Sequence, residues 1–82
     1  MNTRTYRTII EKDDKYYHGY VPVLPGCHTQ GKTIEETQKL LKAAIEAWLE
    51  SRSELGWPIP EDDLIESLQT VVLPQKVKLV YA

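Results

Sequence analysis

The sequence has few of the features that mark several protein classes. It contains one cysteine, Cys27, so no internal disulfide can form and a reducing compartment is the simpler interpretation. No apolar run approaches the roughly 18 residues that a membrane-spanning helix requires. The sequence does not open on a basic and apolar signal segment either. Together these absences predict a cytoplasmic protein with no membrane partner.

Positive charge is not in excess. Ten lysines and arginines against twelve aspartates and glutamates give a formal net charge of −2 at pH 7. A nucleic-acid-binding face needs clustered basic residues, because phosphate contacts supply most of the affinity. We therefore predict no direct binding to nucleic acid, and the slightly acidic balance suits a basic protein partner.

Residues that could support catalysis are scattered. Cys27 and His28 are neighbours on a predicted strand, so their side chains point to opposite faces, and with His18 they match no zinc-site spacing. A two-metal nuclease needs acids on a strand centre and on the facing helix, but the interior positions of the predicted first strand hold none. The four glycines are isolated, so no phosphate-cradling loop occurs. We expect no enzyme activity, no metal site and no cofactor.

Apolar and aromatic patterning predicts a single small domain over residues 1–82, with its core at about 4–60 and a connector and strand at 61–82. β-branched and aromatic residues predict antiparallel strands at 4–11 and 16–23, joined by a polar turn at 12–15, and a short third strand at 27–31. Gly19 in the second strand indicates a bulge or a close approach by another segment. A chain of 82 residues buries only about 60–65% of its unfolded surface, which favours a homo-oligomer.

A capped amphipathic helix follows the strands. Thr33 is a suitable N-cap, Glu36 completes a T-x-x-E capping box, and Gly56 is suited to the residue after the helix. The helix is predicted at about 34–54. Its apolar stripe comprises Ile34, Thr37, Leu41, Ala44, Ile45, Trp48 and Leu49.

The sequence after the helix is less regular. Residues 61–68 fit either a short acidic helix or an irregular segment, whereas 71–73 and 77–81 are β-like, and 77–81 is predicted to return to the sheet. The predicted fold is therefore α+β, with the order β-β-β-α-β: an antiparallel meander, one long helix on one face, and a C-terminal strand. Such a fold leaves the other sheet face uncovered, which in a small domain is typical of an interface.

Aromatic residues on the second predicted strand supply the candidate interface. Tyr16, His18 and Tyr20 alternate along it and so share one face. Tyrosines on a sheet can stack nucleobases, but here the basic residues that such a platform needs are missing. Tyrosine is also enriched at protein interfaces, so we predict that Tyr16, His18 and Tyr20 contact a protein.

One stretch resembles the signature of a known family. Residues 19–37 contain a P-x-L-P-G-C turn, a second glycine and a capping box in register, and this arrangement resembles HicB-type antitoxins, roughly over residues 4 to 60. Eleven positions carry the match. Three are Tyr17, Thr29 and Glu35, and the other eight are Pro22, Leu24, Pro25, Gly26, Cys27, Gly31, Thr33 and Glu36. We expect these eight to shape the turn and the helix start more than to touch a partner.

The resemblance implies a degenerate, partial RNase H-like fold without the nuclease's acids. It also implies a function: a toxin–antitoxin module that binds a small basic HicA-type toxin, an mRNA-cleaving ribonuclease, and occludes its active surface. Residues after Pro60 are too few and too acidic for a helix-turn-helix, so we do not expect the DNA-binding function of longer family members. The alternative is a homo-oligomeric structural or regulatory protein with no toxin partner.

Overall fold

A computed structural model describes residues 3–76. In chain order the elements are β1 (Ile9–Asp13), β2 (Tyr16–Tyr20), β3 (His28–Gly31) and α1 (Ile34–Glu54). The strands form one antiparallel sheet in the order β1-β2-β3. The α+β class, the three-stranded meander and the single long helix are therefore confirmed. Within residues 3–76, no helix is long and apolar enough to cross a membrane.

The first hairpin lies later in the chain than the sequence predicted. β1 begins at Ile9, opposite the last residue of β2, Tyr20. Because the chain turns away from the sheet after Tyr20, residues 4–8 have no pairing strand among residues 3–76, and the predicted span 4–11 was wrong at its start. The turn is also tighter than 12–15, since the ladder extends to the Asp13–Tyr16 pair. Asp14 adopts φ +55°, a conformation that aspartate tolerates better than most residues.

Two consecutive turns join β2 to β3. The Leu24 N–H donates to Val21 O (3.1 Å), and the Cys27 N–H donates to Leu24 O (3.0 Å). A third bond, from Val21 N–H to Cys27 O (3.1 Å), closes the base of the loop. Gly26 takes φ +79°, the conformation that the third position of a type II turn requires. The second strand therefore ends at Tyr20 rather than at 23, and the third begins at His28 rather than at 27.

This double turn places every third residue in the core. Val21, Leu24 and Cys27 are 3%, 1% and 4% exposed, and they pack with Leu41 of α1, which is 1% exposed. The Trp48 indole N–H of α1 donates to Pro25 O (3.1 Å), so the helix also holds the outer part of the loop. The P-x-L-P-G-C motif thus folds a short loop against the middle of the helix, at Leu41 and Trp48.

The helix has the predicted bounds, N-cap and C′ glycine, but the hydrogen bonds within residues 3–76 do not include the return bond of a capping box, from the Thr33 N–H to the Glu36 carboxylate. The Glu36 N–H donates to Thr33 Oγ1 (3.0 Å), so Thr33 acts as the N-cap. At the other end, Gly56 takes φ +71°, and the N–H groups of Gly56 and Trp57 donate to Ser53 O and Arg52 O. This pair of bonds is a Schellman motif. Of the predicted stripe, only Ile34, in the first turn, is exposed (45%).

We expect Thr33→Ala to lower the free energy of unfolding by about 1 kcal/mol, because the Glu36 N–H loses its acceptor. Thr33→Ser keeps the hydroxyl and is the control, with an expected change of less than about 0.5 kcal/mol. Urea titration followed by circular dichroism measures both variants. Equal losses in the two variants would show that the hydroxyl does not cap the helix.

Two glycines allow the helix to lie close to the sheet. A Cβ at Gly19 would lie 2.7 Å from Leu41 Cδ1 and 2.9 Å from Thr37 Cγ2. A Cβ at Gly31 would lie 2.6 Å from Thr37 Oγ1 and 2.9 Å from the Thr37 backbone N. The close approach predicted at Gly19 is therefore confirmed, and the approaching segment is the helix. The continuous pairing of β1 with β2 leaves no bulge there.

After the helix, the chain is fastened to the segment before β1. The Tyr6 hydroxyl donates to Pro60 O (2.5 Å), and the Arg7 N–H donates to Asp62 Oδ2 (2.8 Å). The Arg7 side chain also pairs with the Asp62 carboxylate at 3.3 Å. Desolvation by burial raises the pKa of Tyr6, which keeps the hydroxyl protonated as a donor.

The bond from the Arg7 N–H lowers the pKa of Asp62 below its ordinary value of 3.8. Because the folded pKa lies below the unfolded one, the carboxylate's contribution to stability is complete above about pH 4. It is lost as the pH falls through the lowered folded pKa. We expect the Arg7 amide proton resonance to titrate with a midpoint below 3.8. A midpoint at or above that value would contradict the Arg7–Asp62 contact.

Residues 61–76 have no regular secondary structure. The ambiguous segment at 61–68 is irregular rather than helical, and the β-like stretch at 71–73 does not form a strand. We call residues 63–76 the distal segment. Its large apolar side chains are 52–96% exposed: Leu64, Ile65, Leu68, Val71, Val72 and Leu73. The predicted strand at 77–81 lies outside the described residues.

Candidate protein-interaction surface

The sheet face opposite the helix is the candidate surface, and we call it the open face. Strand pairing sets Ile9 beside Tyr20 and His28, and Glu11 beside His18 and Gln30. Directly paired residues of neighbouring strands share a face. Alternation then assigns Asp13 and Tyr16 to the same side. The open face therefore consists of Ile9, Glu11, Asp13, Tyr16, His18, Tyr20, His28 and Gln30.

Aromatic rings cover the middle of the open face. The imidazoles of His18 and His28 stack with centroids 5.5 Å apart and 18° between planes, and Tyr20 meets His18 edge-on at 6.1 Å. Tyr16 is 42% exposed at the hairpin end of the same face. The three residues predicted to contact a partner are thus brought to one side of the sheet, with His28 added to them.

The two histidines do not converge with the cysteine. Cys27 is buried in the core, whereas His28 is exposed on the open face. Burial raises the pKa of the Cys27 thiol, so the unreactive protonated form dominates at neutral pH. Residues 3–76 include no group of three His, Cys, Asp or Glu side chains that could hold a metal ion. A Cys–His nucleophile pair therefore has no geometric basis at these positions.

A shallow depression of about 330 Å³ lies where the open face meets the double turn. His18, Tyr20 and His28 form one wall, and Pro22, Pro25 and Gly26 contribute to the other. The proline rings fix φ, and the hydrogen bonds of the double turn hold Gly26, so this wall has little conformational freedom to lose on binding. The motif loop and the predicted interface residues therefore form one continuous surface.

The open face carries negative charge. Its acidic residues are Glu11 and Asp13, and none of its eight residues is a lysine or arginine. Phosphate backbones need basic contacts, so this face is poorly suited to nucleic acid. Aromatic rings flanked by carboxylates suit a partner that presents cationic side chains.

The motif residues predicted from the sequence lie partly on this surface and partly behind it. Leu24 and Cys27 are buried, and Pro22 and Pro25 each occupy the second position of a turn. The others set the conformation of the loop and the start of the helix: Gly26, Gly31, Thr33 and Glu36.

The sequence pattern did not identify Ile9, Glu11 and His28 as members of the open face. The register that joins them follows from a two-residue turn at 14–15, which the tolerance of aspartate for positive φ could have indicated.

The chain is similar to proteins from distant organisms. It is 43% identical over 61 residues to the UPF0150 protein ssr1765 of Synechocystis sp., covering 73% of this chain and 77% of that protein. It is 48% identical over 62 residues to the UPF0150 protein Ta0767 of Thermoplasma acidophilum, covering 74% and 90%.

A solved structure and a family model match the same region. The crystal structure of TTHA0281 from Thermus thermophilus superposes with a TM-score of 0.61 at 33% identity, covering 78% of this chain and 83% of that one. The family model described as UPF0150-like matches residues 1–60, which contain the sheet, the double turn and the helix. On these matches, the chain belongs to the UPF0150-like family.

Proposed function

We propose that this protein is a non-catalytic, HicB-type antitoxin module that neutralises a HicA-type mRNA-cleaving ribonuclease toxin by binding and occluding it. The proposal includes a partial, degenerate RNase H-like fold, as the motif resemblance implies. The observation that carries it is the open face: an aromatic, acid-edged sheet surface, continuous with the motif loop and not covered by α1.

Charge and position support occlusion of a basic partner. A ribonuclease binds RNA through cationic side chains, and the Glu11 and Asp13 carboxylates would approach that surface beside the tyrosines. Opposite charges speed encounter, and aromatic anchors supply much of the affinity at protein interfaces. An antitoxin that covers the toxin's RNA-binding groups needs no catalytic residue of its own.

The position of acids on the sheet supports a non-catalytic role. On the helix-facing side of β1, the residues are Ile10 and Lys12, so no carboxylate points from that strand toward α1. Glu11 and Asp13 lie on the open face. Glu35 and Glu36 lie in the first turn of the helix, where carboxylates stabilise the positive end of the helix dipole. A two-metal nuclease requires acids that converge across that space.

Rescue of toxin-arrested cells tests the proposal. A candidate toxin gene, a small basic reading frame next to this protein's gene, is expressed alone, with the wild-type protein, or with the double variant Glu11→Lys, Tyr16→Ala. Both residues are exposed, so the variant is expected to fold. We expect rescue by the wild-type protein and an affinity loss of about tenfold or more in the variant, measured with purified components.

Glu50→Lys is the matched control, because it makes the same charge change at an exposed position on the helix. It should rescue growth as well as the wild-type protein does. Absence of any toxin gene, or failure of the wild-type protein to rescue, would favour the homo-oligomeric alternative. Equal affinity of the double variant and the control would place the interface elsewhere on the molecule.

A further inference from the structure

Residues 3–76 leave two apolar surfaces uncovered, a groove and an extended segment that could lie in such a groove. One is an open groove of about 810 Å³ beside α1, between the helix, residues 3–8 and the connector at Ile59. Its apolar wall comprises Tyr6, Leu41, Ile45, Leu49 and Ile59. The other is the distal segment, whose six large apolar side chains are more than half exposed.

The distal segment does not fold back onto its own domain. The radius of gyration is 16.7 Å, and the longest dimension is 55 Å. A compact chain of this length would have a radius of about 12 Å. Ile65, Leu68 and Val72 are 94%, 94% and 96% exposed, so they contact almost nothing within one copy.

Contacts at the start of the distal segment hold it in this direction. Tyr6 donates a hydrogen bond to Pro60, and Arg7 donates one to Asp62. The Asp62 carboxylate also accepts a hydrogen bond from the Leu64 N–H (3.2 Å). The chain passes the groove at Ile59 and is then held at its edge. To fill the groove of its own copy, the distal segment would have to reverse its direction after the Tyr6–Pro60 and Arg7–Asp62 contacts. The groove of a second copy can receive the segment without such a reversal.

We propose that two copies of this chain exchange their distal segments, each segment lying in the other copy's groove. The groove carries Arg4 and Lys42 against one acid, Glu46, whereas the distal segment carries Asp63 and Glu66 against one base, Lys76. The charges are therefore complementary between copies. The exchange is reciprocal, so it closes at two chains and leaves no segment unpaired.

The apolar area is sufficient for a stable dimer. Covering six aliphatic side chains removes roughly 400 Å² of surface from each segment and a smaller area from each groove. The total, about 1,200 Å², lies at the lower end of the range for specific protein interfaces. This dimer uses the side of the helix and leaves the open face free, so the inference does not depend on the proposed toxin.

Light scattering on the full chain tests the exchange. We expect twice the mass of one chain for the wild-type protein. The variant Ile65→Asp, Leu68→Asp, Val72→Asp should dissociate, with dimer affinity weakened about 100-fold or more, because three charges would enter an apolar groove. All three residues are exposed in one copy, so the variant should keep its circular dichroism spectrum. A monomeric wild-type chain would overturn the proposal, because it would leave no partner for the segment.

The variant Ser67→Asp, Gln69→Asp, Thr70→Asp is the matched control, since it adds the same charge to neighbouring polar positions and should remain dimeric. Methyl resonances of Ile45 and Leu49 report on the groove. We expect them to shift between the wild-type protein and the apolar-site variant. A dimer that survives the apolar substitutions, or unshifted methyl resonances, would also overturn the exchange.

Discussion

Leu41→Ala is expected to lower the free energy of unfolding by about 3 kcal/mol, within a range of about 2–5 kcal/mol for buried leucines. Leu41 is 1% exposed and is the helix's contribution to a core whose other buried apolar members all come from the double turn. Removing it leaves a cavity between α1 and the loop. A domain of this size has a total stability of about 4–12 kcal/mol, so the loss is a large share.

Thermal unfolding monitored by circular dichroism measures this loss. About 3 kcal/mol corresponds to a fall in Tm of roughly 12–24 °C for a chain of this length. Leu40→Ala is the control, because Leu40 is the preceding helical residue and is 39% exposed. We expect it to change stability by less than about 1 kcal/mol. Similar losses at the two positions would contradict the placement of the core.

Gly31→Ala should have the second-largest effect, a loss of about 2–3 kcal/mol, toward the upper end of typical overpacking costs. The added Cβ would lie 2.9 Å from the Thr37 backbone N and 3.1 Å from its Cα. These atoms belong to the first turns of the helix and cannot rotate away. The helix would have to move from the sheet, which also disturbs the Thr33 cap.

Gly19→Ala provides the comparison for Gly31→Ala. There the nearest atoms are side-chain methyls, Leu41 Cδ1 at 2.7 Å and Thr37 Cγ2 at 2.9 Å, which can adjust by rotation. We expect the loss at Gly19 to be smaller than at Gly31 by about 1 kcal/mol or more, as measured by urea titration. A larger loss of stability at Gly19 than at Gly31 would show that the start of the helix moves away from the sheet more easily than its backbone contacts indicate.

Local signals predicted the helix and the turn correctly. Thr33, Gly26 and Gly56 each act through bonds to residues within five positions, so their roles can be read from neighbouring sequence. The start of β1 could not be read in this way. A strand needs a partner, and the double turn removes the partner of residues 4–8 by taking the chain out of the sheet.

The candidate surface was predictable only in part. Alternation along one strand placed Tyr16, His18 and Tyr20 together, and the structure agrees. The addition of Ile9, Glu11 and His28 depends on the register between strands, which alternation within one strand does not determine. The groove beside α1 is set by the packing of segments more than 50 residues apart, such as Tyr6 with Pro60. Short-range patterns carry no information about that contact.

Hydrogen exchange with and without the proposed HicA-type toxin tests most directly whether the open face binds a protein. Amide protection should rise in β2, β3 and the double turn when toxin is added, at Tyr16–Tyr20 and His28–Gly31 in particular, while the exposed side of α1 is unchanged. Protection confined to α1, or no change at any toxin concentration that blocks RNA cleavage, would contradict the account.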